Sequence, residues 1–235
     1  MEDNAEVLVL HTLRVAGVSQ LPRLSRRTGM PSDVLARNLR ALEATGMVRI
    51  HDGSLPGWGL TPSGRSRGEE LLAAELARTG ARGFVEAVHE QFLELNGAVL
   101  GACTDWQIIA GSNPLKLNDH ANREYDESVL ERLIGLHADA DDVLSALSSR
   151  LPRFDTYLPR LSNALAQART GGVDWVTKPT IDSYHTVWFE LHEDLLATLG
   201  RSRSAEAPGR KPRNPPPRDH DLDFPGADRG PGERR

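Results

Sequence analysis

The chain has 235 residues, 39% of them hydrophobic, with 33 acidic and 28 basic side chains and a formal net charge of −5. That is enough apolar content for a buried core of one large or two small domains. The lone cysteine, Cys103, excludes an internal disulfide and a cysteine-rich zinc site, and no run of about 18 apolar residues is present to span a membrane.

The charge is unevenly spread. Residues 20–67 hold eight Arg against Asp33, Glu43 and Asp52, whereas residues 79–200 hold nine basic and eighteen acidic side chains. A basic segment beside an acidic body suits a polyanion bound on one side only. The first residues lack a basic-then-apolar secretion pattern, so a cytoplasmic protein is expected.

Asp3-Asn4-Ala5-Glu6 has the spacing of a capping box, and Val7, Leu10 and Leu13 continue a first helix to Ala16-Gly17. Ser19 is placed to cap a second short helix, Leu21–Thr28, with Pro22 tolerated in its first turn. Leu21 and Leu24 are expected to pack inward. Arg23, Arg26 and Arg27 are expected to point out, toward a phosphate backbone or toward solvent. Gly29-Met30-Pro31 then makes a turn of helix-turn-helix length.

The helix after that turn organises the first part of the chain. Ser32 or Asp33 is free to cap it, and Leu35, Leu39 and Leu42 form one apolar face at i, i+4 and i+7. Asp33, Ala36, Arg37 and Arg40 lie on another face, which is small and polar and carries two guanidinium groups. Gly46 suits a left-handed stop. Met47–His51 and Gly57–Thr61 read as two strands around a Gly/Pro-rich tip, and Thr61-Pro62 opens the next helix, Pro62–Thr79.

The stretch Leu24–Met30 through Leu39–Val48, closed by Leu60-Thr61-Pro62-Ser63-Gly64-Arg65, resembles the winged-helix domain of MarR-like bacterial transcriptional regulators. The resemblance covers roughly residues 5–78. It implies sequence-specific binding of double-stranded DNA as a homodimer. Ser32, Asp33, Ala36, Arg37 and Arg40 are then the base-facing candidates; Arg37 and Arg40 suit guanine edges and phosphates equally, and the sequence does not choose between them. Arg23, Arg26 and Arg27 would lie near the DNA backbone, and Arg49 and Arg65 complete the candidate DNA-binding set. The tip Asp52–Gly57 carries no Arg or Lys, unlike wings that place a basic residue in the minor groove. Trp58 is expected to pack under the wing.

Residues 80–200 show helical periodicity and no strand alternation, so a bundle of four or five helices is expected. Helices are predicted over Arg82–Gly101, Asp126–Arg150, Tyr157–Thr170 and from Thr180 or Asp182 to Leu199. The stretch from Cys103 to His120 is too polar and turn-rich for a simple helix, and Asp174–Pro179 reads as a loop. The last helix is apolar over so wide an arc that it must be buried or lie at a subunit interface. Residues 201–235, rich in Pro, Gly, Arg and Asp, cannot bury enough surface to order themselves.

The expected fold class is therefore mainly α. It comprises a winged helix-turn-helix over 1–79, a helical dimerisation and effector domain over 80–200, and a disordered tail over 201–235.

Two readings compete for the chemistry of the helical part. Trp106, Asn118, Asp119, His120, Trp175, Tyr184, His185 and Trp188 have the composition of a small-molecule effector pocket, while the same Trp residues serve equally to staple a bundle poor in aromatics. Glu86-x-x-His89 is half of a di-metal carboxylate pattern whose second half is missing. A metal held by His89, His137 and His185 or His192 is one arrangement a bundle permits; histidines paired with acids are the other. No phosphate loop, nucleophile elbow or Cys–His pair is present. No metal or cofactor is expected, and a transcriptional regulator is expected over the alternative, a helical-bundle enzyme with an appended winged helix.

Overall fold

The computed structural model describes residues 2–53, 56–109, 111, 112 and 114–201. The Asp3–Glu6 capping box, the tip residues Ser54 and Leu55, and the tail from Ser202 onward fall wholly or partly outside these residues.

The first part consists of α1 (Glu2–Ala16), α2 (Leu21–Thr28), α3 (Ser32–Ala44), β1 (Val48–His51), β2 (Gly57–Leu60) and α4 (Pro62–Thr79). Leu10, Leu13, Leu24, Leu35, Leu39 and Val48 form a common core, with Trp58 and Leu60 half-buried against it. The leucine face of α3 is thus buried, as its i, i+4, i+7 spacing requires. β1 and β2 pair antiparallel, with Val48 opposite Leu60 and His51 opposite Gly57.

Two expected caps are not made. Ser19 exchanges both backbone hydrogen bonds with Trp58, at 2.9 Å each, so it extends the small sheet instead of capping α2. Gln20 takes the cap position of α2 with no side-chain bond. Pro31 precedes α3, so Ser32 is already helical, and its hydroxyl lies 3.3 Å from Ser25 Oγ on α2.

The entry to α4 follows its sequence signature. Thr61 Oγ1 accepts from Gly64 N at 3.0 Å and donates to Gly46 O at 2.7 Å, which ties the end of α3 to the start of α4. Gly64 is required there, because a Cβ would lie 1.9 Å from Met47 O. Gly46, at φ 73°, makes the left-handed turn between α3 and β1.

The second part is built from α5 (Arg82–Gln107), α6 (Arg123–Arg150), a 3-10 turn at Pro152–Thr156, α7 (Tyr157–Arg169), α8 (Asp174–Thr177) and α9 (Tyr184–Leu199). α5 runs six residues beyond the expected Gly101 limit, because Val99, Cys103 and Trp106 continue one buried face at i, i+4 and i+7. The expected loop at Asp174–Pro179 contains one helical turn that buries Val176. Ser183, not Thr180 or Asp182, caps the last helix by accepting from Thr186 N at 3.3 Å.

α9 is central. It packs on α5, α7 and α8 and also reaches α1 and α4. Most of its wide apolar arc is buried within this one chain, while Phe189 is 45% exposed. Two carboxylates, Glu190 and Asp194, are buried with it. Among the described residues, no helix is long and apolar enough to cross a membrane.

Candidate nucleic-acid interface

α3 presents its polar face to solvent. Ser32, Asp33, Arg37 and Arg40 are exposed, and Ala36 is half-buried between them. Arg37 Nη1 donates to Asp33 Oδ2 at 2.9 Å, one turn apart, and both side chains are about 70% exposed. The Arg37 hydrogen bond, ahead of any other influence, holds the Asp33 carboxyl below its ordinary range. Next to α3, Arg49 is exposed on β1 with its Nε 3.2 Å from His51 Nε2, and Ile50 is 49% exposed. Arg65 is exposed on α4. The surface thus offers Arg37, Arg40, Arg49 and Arg65 to a polyanion.

The arginines of α2 divide. Arg26 is exposed as expected. Arg27 is buried, contrary to the expectation that it points out. It lies on the same face as Leu24, three residues earlier. Its Nε donates to Glu190 Oε2 at 3.1 Å, its Nη2 pairs with Glu190 Oε1, and that Nη2 is 3.4 Å from Asp182 Oδ1. Arg23 is half-buried, 3.8 Å from Glu190 Oε1. Burial, then repulsion from Arg27, lowers its pKa. Arg27 is therefore withdrawn from any ligand outside the protein.

Glu190 and Asp194, one turn apart on α9, anchor this junction. Glu190 also accepts from Arg160 Nη2 at 2.6 Å. Asp194 accepts from Arg153 Nη1 at 2.5 Å and from Tyr157 Oη at 2.8 Å, and its Oδ1 lies 2.8 Å from His11 Nε2 on α1. Arg153 in turn reaches Glu75 of α4 at 3.0 Å. Burial alone would raise the Asp194 carboxyl; the adjacent His11 and Arg153 outweigh it and hold the group well below the usual carboxylate range. Burial and the Asp194 charge push the Tyr157 phenol well up. Burial works against Arg153 and Arg160 as cations, but their carboxylate partners win and raise both.

The eight residues expected to line an effector pocket fall in separate settings. Trp106, Asn118 and His120 come together beneath the connection from α5 to α6. The Trp106 and His120 rings are 4.7 Å apart, and Asn118 Nδ2 donates to Trp106 O at 3.1 Å. Asp126, absent from the sequence-based set, joins them through Asn118 at 2.7 Å and His120 at 2.9 Å. Asp119 is exposed and accepts from Ala121 N.

Tyr184 and Trp188 are buried, with the Trp188 ring stacked 4.7 Å from Phe92. Trp188 Nε1 donates to Asn96 Oδ1 at 3.0 Å, and Trp106 Nε1 donates to Val173 O at 3.0 Å. These tryptophans staple helices together, with their N–H groups satisfied. His185 is half-buried on α9. Trp175 is half-buried on α8, beside an open cleft that also takes in Arg23, Arg26 and Arg160. Among the described residues, no group of three or more His, Cys, Asp or Glu is placed to hold a metal ion.

No protein-family model, curated protein or solved structure matches the chain.

The junction residues His11, Glu75, Arg153, Arg160, Glu190 and Asp194 escape a motif search. One signal was present in the sequence: Glu190 and Asp194 sit at i, i+4, interleaved with Val187, Leu191 and Leu195 of the apolar stripe of α9, and acids in such a setting require cationic partners. Which cations supply them is a matter of tertiary structure.

Proposed function

We propose that the chain is a DNA-binding transcriptional regulator whose residues 1–79 act as a MarR-like winged helix. In this reading α2 and α3 are the helix-turn-helix and β1–β2 is the wing. α3 enters the major groove, where Arg37 and Arg40 read base edges or phosphates. Arg26, Arg49 and Arg65 set the register on the backbone. The observation that carries the proposal is the exposed Arg37–Arg40 face of α3, lying beside a two-stranded antiparallel hairpin with Arg49 on it.

Regulators of this kind act as homodimers, with two recognition helices about 34–36 Å apart reading a palindromic site. The helical part from residue 80 onward would supply the dimer contacts and a response to a small-molecule effector. The junction of α2 with α9 supports such coupling, because any shift of α9 is felt at α2 through Arg27 and Glu190.

The test is binding of the purified chain to duplex from its own promoter region against scrambled duplex, at two salt concentrations. Preference for the promoter duplex, lost in Arg37→Ala and Arg40→Ala, supports the reading. Equal, weak binding to both duplexes overturns it.

A further inference from the structure

α5 and α6 lie side by side and antiparallel. At one end of the pair the Arg150 guanidinium stands 4.8 Å over the Phe84 ring, and toward the other Arg132 Nη2 donates to Asp105 Oδ2 at 2.6 Å. The outer face of α5 is poor in charge: Leu95–Thr104 contains no Asp, Glu, Lys or Arg. Within that run Gly97, Ala98, Leu100, Gly101 and Thr104 are exposed, Leu100 at 41%, and Leu93 just before it is 39% exposed. An open hollow of about 480 Å³ lies between Ala98, Gly101 and Ala102 of α5 and Gly135 and Leu136 of α6, flanked by Arg132 and Asp139. Depletion of charge around an apolar centre is the composition of an interface core.

The glycines of this face have no reason within their own chain. Gly97, Gly101 and Gly135 are interior helical positions, where Gly is destabilising relative to Ala. None has a positive φ, and a Cβ at each meets nothing within 4 Å. Gly64, by contrast, is forced by Met47 O. What the three exposed glycines provide is backbone that another helix can approach closely.

The charges at the rim name the partner. Arg132 is 52% exposed and gives one nitrogen to Asp105. Asp139 is exposed and makes no ion pair among the described residues. In a two-fold assembly every contact is made twice, residue i to j and j to i. An antiparallel crossing of α6 on a second α6, centred between Gly135 and Leu136, sets each Arg132 level with Asp139 of the other copy. The hollow brings Ala98–Ala102 level with Arg132–Asp139, so the same axis crosses α5 between Leu100 and Gly101. Leu100 then lies over Gly101 of the other copy, Gly97 over Thr104, and Leu93 over the half-buried Ile108. No two like charges fall at matched levels along either helix. A face as long as α5 and two helices wide covers about 800 Å² on each copy, the size of a standard stable interface.

We propose that the α5–α6 face is where two copies of this chain meet, antiparallel about a two-fold axis beside Gly101 and Gly135. The inference rests on the DNA-binding reading only for the expectation that the chain pairs. The face itself follows from the glycines, the uncharged run and the placing of Arg132 and Asp139.

The experiment is sedimentation of the full chain from micromolar to millimolar concentration, without DNA. A mass of twice 25.8 kDa is expected. Gly101→Gln puts a side chain where Leu100 of the other copy belongs, yet meets nothing in its own chain. It should raise the dissociation constant of the dimer at least about tenfold. The unfolding midpoint of the dilute monomer should not fall, because Gln is the better helix former.

A charge exchange tests the register. Asp139→Lys sets two cations together across the axis, and Arg132→Glu sets two acids together. Each should weaken its own dimer, and an equimolar mixture of the two should associate more tightly than either, since opposite charges then meet at both ends. A variant that failed to fold could not produce that recovery. A chain that stays monomeric throughout the range overturns the proposal. So does a dimer that Gly101→Gln leaves intact, and so does a mixture no tighter than its components. Because no DNA is present, none of these results depends on whether promoter duplex is read, and a failure to read it leaves the dimer face standing.

Discussion

Arg27 and Glu190, 163 positions apart in the chain, meet in the interior with two guanidinium nitrogens on two carboxylate oxygens. The fork geometry suits a bidentate pair, and Arg160 shares the same carboxylate. The pair fixes α2, the helix that precedes the exposed arginine face, against the most buried helix of the chain. Glu190→Gln leaves two buried guanidinium groups without their common counter-charge. A loss of about 3–5 kcal/mol is expected from urea unfolding, as for other buried pairs broken on one side. A loss near zero would mean that Asp182 alone suffices for both arginines.

Acid should weaken the fold through Asp194. Its carboxyl is held below the ordinary value of 3.8, so as the pH falls the unfolded chain takes up this proton before the folded chain does. The stability it contributes is complete above about pH 4 and is lost below it. In Asp194→Asn the unfolding midpoint should be lower at neutral pH yet flatter between about pH 4 and pH 2. Parallel pH profiles for the variant and the unaltered chain would remove Asp194 as a cause.

On the exposed face of α3, Asp33 restrains Arg37. Asp33→Ala frees the guanidinium and removes a negative charge from the face of α3. Binding to scrambled duplex should tighten, and the slope of log affinity against log salt should steepen by up to about 0.9 if Arg37 gains one phosphate contact. An unchanged slope would place Arg37 on base edges or away from DNA.

Gly64 tests how tightly the hairpin is seated. Its missing Cβ makes room for Met47 O, a backbone atom that cannot rotate away. Gly64→Ala forces the β1 entry off the start of α4 and should cost on the order of 3 kcal/mol, read by denaturant unfolding. Gly83→Ala serves as the control, since a Cβ at that helical position meets nothing within 4 Å.

Cys103 is buried in α5, and burial pushes its thiol up to about 12. A thiol reagent should therefore fail to label the folded chain at neutral pH and should label it at once in denaturant. Rapid labelling under native conditions would show that α5 opens.

Local pattern made much of the first part legible in advance. Three leucines at helical spacing, a Gly at each turn and Thr-Pro at the next start place α3, both strands and α4, because these elements depend on neighbours a few residues away. The helical part was readable as helices for the same reason. Their limits shifted where burial overrode polarity: Cys103 and Trp106 extend α5 because they face the core, whatever the residues between them prefer. The partners of Glu190 and Asp194 were beyond reach of the sequence. A buried charge says that a counter-charge exists, but Arg27, Arg160, Arg153 and His11 come from four different elements. Only packing α9 between α1, α2 and α7 brings them within hydrogen-bond distance. The same packing turned Arg27 from a surface arginine into a buried tether. It also scattered the expected effector residues, since each tryptophan found its own helix to staple.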